Sequence, residues 1–241
     1  MNLHRLPKIP AKAALISGQY PQLISALQRL NIEAIPTTQD FRLPEPVSWH
    51  PDMQACPLGK ITYVLRQSPL EGALWRCGGV IRETGNVPGK VYPQDALCNV
   101  LAWSGYVLGN RKTADPQLVS AADELGKIWI PVHQGYSACS TALVDENSAI
   151  TADQGIARQL EKAGMQVLQI TPGDIALPGY NTGFFGGCCG KLAPDIMVFA
   201  GELDSHSDGQ EIRKFLTARG VKGIELQKGQ LLDVGGIMAI C

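Results

Sequence analysis

Two segments of the chain carry reactive side chains at one shared spacing: His50-Pro51-Asp52-Met53-Gln54 and His206-Ser207-Asp208-Gly209-Gln210. An imidazole two residues from a carboxylate can shuttle a proton and hold a cation. Beside a thiol, the same pair supports nucleophilic attack on an electrophilic carbon. The thiols are available, because the chain has seven cysteines, an odd number with no CxxC pair, which fits free thiols in a reducing compartment. With His133 the two pairs also offer metal ligands, but the sequence contains neither HExxH nor a compact ligand cluster, so no metal is expected. It has no GxxxxGKS loop and no strand-linked GxGxxG either, so no cofactor is expected.

These residues need a scaffold, and composition bounds what it can be. The chain has 241 residues, 45% of them apolar and 18% charged, with a net charge of −1. Those values exclude a disordered chain, a coiled coil or a polyelectrolyte. Twenty-one basic against 22 acidic residues give no electrostatic reason to expect a nucleic-acid partner or an anionic membrane. No apolar run approaches the roughly 20 residues of a spanning helix, and the start MNLHRLPKIP has no apolar core of a signal peptide. A soluble, cytoplasmic, single-domain protein over residues 1–241 is the expectation, with a small molecule as substrate or ligand; the oligomeric state is left open.

The chain also repeats itself. Thr113-Ala114-Asp115 opens an amphipathic stretch with Leu118, Val119, Ala122 and Leu125, stops at Gly126 and leads into Ile128-Trp129-Ile130. Thr151-Ala152-Asp153 does the same through Ile156, Ala157, Leu160 and Ala163, Gly164 and Val167 to Ile170. Each Asp is placed to cap a helix and each Gly to take the left-handed position after its last turn. Asp208 to Leu226 reads as a third copy and Pro21 to Ile35 as a fourth, with a degenerate fifth around Ile61 to Ile81. Paired apolar runs around Ser104-Gly105 and Glu146-Asn147-Ser148 add a hairpin ahead of the two clearest units. The unit is strand, strand, helix, strand, and such units bury their apolar faces only against neighbours. Trp49, Trp75, Trp103 and Trp129 fall in or beside apolar runs and read as packing residues.

Five such units resemble the pentein fold, the α/β propeller of guanidino-group-modifying enzymes. His206-Ser207-Asp208 resembles the family's His-x-Asp, Gly186-Gly187 in Gly183 to Cys188 its Glu-Gly-Gly-Asp/Asn segment, and Asp233 to Ile240 its nucleophile-bearing last strand. His50-Pro51-Asp52 and Gln134-Gly135-Tyr136-Ser137-Ala138-Cys139-Ser140 are similar to segments of a little-characterised pentein subgroup. Phe185, Cys188 and Ala239 stand where the deiminases place a carboxylate, an Asp or Asn, and the nucleophilic Cys.

The resemblance implies an enzyme like the hydrolases and amidinotransferases, acting at a C–N bond of a small amidine- or amide-like compound. His206 would be the acid/base, with Asp208 and Asp233 orienting the cation. Cys188 is the first substitute nucleophile, with Gly186 and Gly187 allowing a ligand close to backbone; Cys139 is second and Cys241 third. His50 and Asp52 would reach the same channel from another blade. The alternative is a pentein that binds a metabolite or a macromolecular partner without catalysis, for which Ala239 and Phe185 speak. A thiol beside His206 would separate the two.

Overall fold

The computed structural model describes residues 2–241. Asp115 and Asp153 do cap helices: their carboxylates accept from the backbone N–H of Gln117 and Ile156, ahead of Pro116–Glu124 and Gln154–Lys162. Gly126 and Gly164 follow at φ +66° and +85°, and Asn31 takes the same left-handed turn after Pro21–Arg29 at φ 59°. In each helix one face is buried, Leu118, Ala121 and Ala122 in one and Ile156, Ala157 and Leu160 in the other. Leu125 lies past the last turn and is exposed, so it is not part of that face.

Four three-stranded sheets have an antiparallel first pair and a parallel third strand reached across the helix. Blade one is Ala55–Leu58, Ile61–Val64 and Val80–Glu83; blade two is Leu101–Trp103, Tyr106–Gly109 and Ile128–Pro131. Blade three is Thr141–Asp145, Ser148–Thr151 and Gln166–Gln169; blade four is Cys189–Ala193, Ile196–Phe199 and Lys222–Glu225. The fifth blade joins the two ends of the chain: Met238–Ile240 pairs antiparallel with Ala13–Ile16, which pairs parallel with Glu33–Pro36, and Leu3–His4 adds an outer strand. The repeat therefore closes on itself, and this is the pentein propeller. Closure leaves no blade with an unpaired face to bury, and the apolar clusters lie between neighbouring blades.

Two expectations need correction here. Asp208 stands before the helix Gly209–Thr217 but makes no capping bond; its carboxylate instead accepts from Thr171 N–H at 2.5 Å. Trp75 is 71% exposed on the outer helix of blade one, whereas Trp103 is buried between blades.

Candidate functional site

Each blade begins with a short lead-in, and the five lead-ins meet at the centre. They are the turn Pro51–Gln54 before blade one, Asn99 before blade two, the turn Ser137–Ser140 before blade three, Gly186–Cys188 before blade four, and Asp233 to Ile237 before blade five. Backbone and side-chain bonds link them into a ring. Asp52 N–H donates to Gly235 O, Ser137 N–H to Asn99 O, and Val234 and Gly236 N–H both donate to Gly187 O. The Asn99 amide donates to Asp52 O, and its oxygen accepts from the N–H groups of Ala138 and Cys139.

The ring requires backbone to approach side chain closely at the motif glycines. A Cβ on Gly187 would stand 2.0 Å from Asp233 Oδ1, and one on Gly186 would meet the carbonyls of Ala138, Cys139 and Thr141 at 2.5 to 2.6 Å. Gly186 and Gly187 are therefore spacers between Asp233 and the Cys139 turn. Gly235, at φ +76°, plays the same part against His50.

Cys139, His50 and Asp52 converge: one ligand atom from each lies within 4.8 Å of the others, and all three residues are buried. The Asn99 amide donates to Cys139 Sγ at 2.9 Å. Asp233 is held by Phe184 N–H on Oδ2 at 2.8 Å and Gly235 N–H on Oδ1 at 3.0 Å, with His50 Nδ1 3.7 Å from Oδ1. Both ring nitrogens of His50 are buried without a hydrogen-bond partner, and the buried Asp52 carboxyl has the Cys139 thiol beside it as a donor. A centre of this kind is built to receive donors and protons from something else.

Its charges follow from burial. Desolvation holds the His50 imidazole below its ordinary pKa, against the pull of Asp233, so at neutral pH it is a free base. Desolvation lifts Asp52 from 3.8 to about 7, the Arg5 guanidinium partly offsetting it and Asp233 adding to it. The Cys139 thiol is pushed well above 9 by burial and by Asp52 and Asp233, while the Asn99 donor works the other way. With no ligand, the thiol keeps its proton. A cation placed between Asp233 and the sulfur would reverse that balance. The same imidazole, thiol and carboxylate are also a donor set that suits a soft divalent ion such as zinc, so the fold assembles a compact cluster that the linear sequence hides.

The other expected residues lie elsewhere. A cleft of about 190 Å³ opens on the centre; His50, Cys139 and Asp233 line it, and neither His206, Cys188 nor Cys241 does. Cys188 is fully buried, its thiol donating to Phe185 O at 3.0 Å, packed in a cluster with Phe185 and Phe199. Cys241 is half-buried in a groove with Arg5 and Ile9. His206 sits between the second strand and the helix of blade four; its Nδ1 accepts from Asp208 N–H and its ring edge meets Phe185. Asp208 is a surface loop tie. Of the expected residues, the structure brings His50 and Asp52 together with Cys139, and leaves His206 and Cys188 outside this cleft. His133 lies exposed, away from this cleft.

Asn99, which meets Cys139, and Asp95, which lines the cleft with Tyr136, are the residues that sequence reasoning missed; Tyr136 entered it only within the segment Gln134 to Ser140. Asn99 had a signal, a polar residue heading an apolar strand run, which a buried position must satisfy with bonds. Asp95 had none, standing in an aperiodic loop.

A family model described as "Family of unknown function (DUF6873)" matches residues 15–238. Among the curated proteins none matches the chain. The chain is similar in structure to an inosamine-phosphate amidinotransferase from Streptomyces griseus, at TM-score 0.59 and 11% identity over 93% of this chain and 90% of that one. It is also similar to DDAH from Pseudomonas aeruginosa in complex with citrulline, at TM-score 0.56 and 10% identity over 90% and 92%. A third similar structure is the C. jejuni agmatine deiminase, at TM-score 0.56 and 9% identity over 93% and 90%.

Proposed function

Since the chain belongs to the family of unknown function DUF6873 and has the pentein fold, we propose that it is a cytoplasmic thiol enzyme acting at a C–N bond of a small amidine- or guanidine-like cation. The observation that carries the reading is the buried convergence of Cys139, His50 and Asp233 on one cleft. The amidinium binds against the Asp233 carboxylate, which two backbone donors hold in place. Its charge beside Cys139 makes up for the two carboxylates that oppose a thiolate, and neutral His50 takes the thiol proton. The sulfur then attacks the amidino carbon and forms a C–S bond. His50, now an imidazolium 3.7 Å from Asp233, returns the proton to the departing nitrogen as the C–N bond breaks. Water completes a hydrolysis, or an acceptor amine a transfer, and the thiol is regenerated. No helix among the described residues is long and apolar enough to cross a membrane, and all seven cysteines are free, which suits a reducing compartment.

The test uses a cationic electrophile. 2-Chloroacetamidine and neutral iodoacetamide are compared on all seven thiols by peptide mass spectrometry. Preferential labelling of Cys139 by the amidine, lost in Asp233→Asn and in His50→Asn, is the expected result. Turnover of an amidine and guanidine panel that is abolished by Cys139→Ser completes it. If Cys139 shows no preference for the cation and nothing on the panel turns over, the protein is the non-catalytic binder that Ala239 at the usual nucleophile position would suit.

A further inference from the structure

The propeller has a second mouth. The cleft on Cys139 lies at the lead-in ends of the first strands. At their other ends the hairpin turns of blades one, two and three bring Gly59, Ser104 and Glu146 to the wall of a cavity of about 520 Å³. The segment that follows the added strand Leu3–His4 forms another side of it and carries Arg5.

Arg5 is half-buried and reaches toward the ring of lead-ins: a Cβ on Gly236 would stand 3.2 Å from its Nη1. Its Nε and Nη2 are buried and have no acceptor among the described residues. Those two nitrogens form one edge of the guanidinium, a fork that matches the two oxygens of a carboxylate. Arg42 uses the same edge within the chain, its Nε and Nη2 donating to Asp40 Oδ1 and Oδ2 at 2.8 and 2.6 Å. The fork of Arg5 meets no carboxylate of this chain. A charged donor left unpaired costs more than a neutral one, so a fork on a residue that lines a cavity is best explained by an acceptor arriving with a ligand.

The two mouths also differ in charge. Asp95 and Asp233 face the cleft on Cys139, and no lysine or arginine is among its described lining residues. The rear cavity gathers Arg5, Lys8 and Lys127 against one carboxylate, Glu146, which already accepts from the Ser104 hydroxyl. In a chain of net charge −1 this grouping of cations favours an anion at the rear mouth. Leu3, Leu6, Ile9, Pro57 and Trp103 supply apolar wall, and the volume lies within the roughly 300–1,000 Å³ of small-molecule sites.

We propose that the rear cavity binds a small organic acid, its carboxylate on the Arg5 fork and its apolar body along Leu6, Ile9 and Trp103. The site does not depend on the chemistry assigned to Cys139. It also discriminates, because a primary amide of the same shape offers one oxygen and turns an N–H toward the other arm of the fork.

Titration calorimetry on the whole protein, in chloride-free buffer of low ionic strength, tests this with n-alkanoates of increasing length, the matched primary amides and inorganic phosphate. At the best length the alkanoate is expected to bind about 10-fold tighter than its amide, or more. Arg5→Gln should remove that preference, and Arg5→Lys, which keeps the charge without the fork, should restore only part of it. Cys241 gives a readout that needs no variant. It lines the cavity and is half-buried, so bound alkanoate should slow its alkylation by iodoacetamide, while Cys77, half-buried outside the cavity, reacts at an unchanged rate. That protection decides the matter if Arg5→Gln does not fold. Alkanoates that bind no better than amides at every length, a preference that survives Arg5→Gln, or Cys241 alkylation unchanged by saturating alkanoate overturns the proposal. Inorganic phosphate binding as tightly as the best alkanoate also overturns it, and makes the rear mouth a phosphate site.

Discussion

His50 to Gln54 and His206 to Gln210 carry the same His-x-Asp-x-Gln spacing and a buried histidine each, and differ in the rest. The first segment is a lead-in to a blade: His50, Asp52 and Gln54 are all buried, and the turn faces the centre of the ring. The second precedes a helix: Asp208 and Gln210 lie at the surface, and the segment fastens one loop to another through Thr171 and Asp174. What differs is the position within the repeat. A lead-in is desolvated and meets four others, so its titratable groups acquire perturbed protonation and one another's company. A segment ahead of a blade helix serves that helix and its loops: Asp115 and Asp153 cap theirs, and Asp208 ties its own to Thr171. Identical spacing therefore yields a buried cluster of titratable groups in one place and loop architecture in the other.

Activity gives the widest separation. His50→Asn removes the base proposed for Cys139 and is expected to lower kcat/KM by about 10²–10⁴-fold, with the acidic limb of the pH profile moving as well. His206→Asn keeps an acceptor near Asp208 N–H and should change the same quantity by no more than about 2-fold. Steady-state kinetics on both variants, across pH, reads this directly. A larger loss in His206→Asn than in His50→Asn would return the site to blade four.

Stability against pH separates the two aspartates by sign. Asp52 rises from 3.8 to about 7 on folding, so the folded state holds its proton where the unfolded state has lost it. Stability is then highest below pH 3.8, falls as pH rises through the window to about 7, and stays lowered above it, by several kcal/mol at most. Asp208 is depressed by its bond from Thr171 N–H, so its contribution is present above its ordinary pKa and is lost as pH falls. Being largely exposed, it is worth less than about 1 kcal/mol. Urea titrations at pH 5 and pH 8 should show Asp52→Asn flattening the wild-type decline and stabilising the protein at pH 8, with Asp208→Asn doing neither. An Asp52→Asn variant with the wild-type slope would mean that the carboxyl is solvated in solution.

The fold was legible because its signals are local and recur: an aspartate cap, an apolar helix face, a left-handed stop, an apolar strand. The site was legible only in part, for a reason visible in particular residues. Cys139 precedes Thr141–Asp145 and Asp233 precedes Met238–Ile240, two strands that the apolar runs announce. The strand after His50 and Asp52, Ala55–Leu58, contains a proline and follows no amphipathic marker, so the sequence brought that pair to the channel as binding residues and not as the imidazole beside the thiol. His206 followed a clear strand and took its place. Asn99 touches Cys139 across 40 residues of sequence, and no periodicity carries such a contact. The closure of blade five by the two chain ends, which sets Ala239 inside a strand opposite Ala14, is likewise a long-range fact.

The two glutamines make the finest comparison, because neither titrates and only position distinguishes them. Gln54 is 1% exposed and its amide donates to Thr38 O at 2.8 Å and Ser48 O at 2.7 Å, strapping the turn that carries His50 and Asp52 to the preceding loop. Gln210 is exposed and donates once, to Asp204 at 2.9 Å. Gln54→Ala leaves the buried Ser48 carbonyl and the more exposed Thr38 carbonyl without that donor and opens a small cavity, an expected loss of about 2 kcal/mol. Gln210→Ala should cost less than about 0.5 kcal/mol. Thermal melts of both variants measure the difference, and the cleft offers a second readout. If Gln54 acts as the strap, Gln54→Ala also weakens binding of a guanidinium probe, since His50 and Asp233 no longer face each other at a fixed distance, whereas Gln210→Ala binds it as wild type does. Equal destabilisation by the two substitutions would show that burial of the lead-in contributes no more than an exposed loop tie, and the contrast between the two segments would lose its basis.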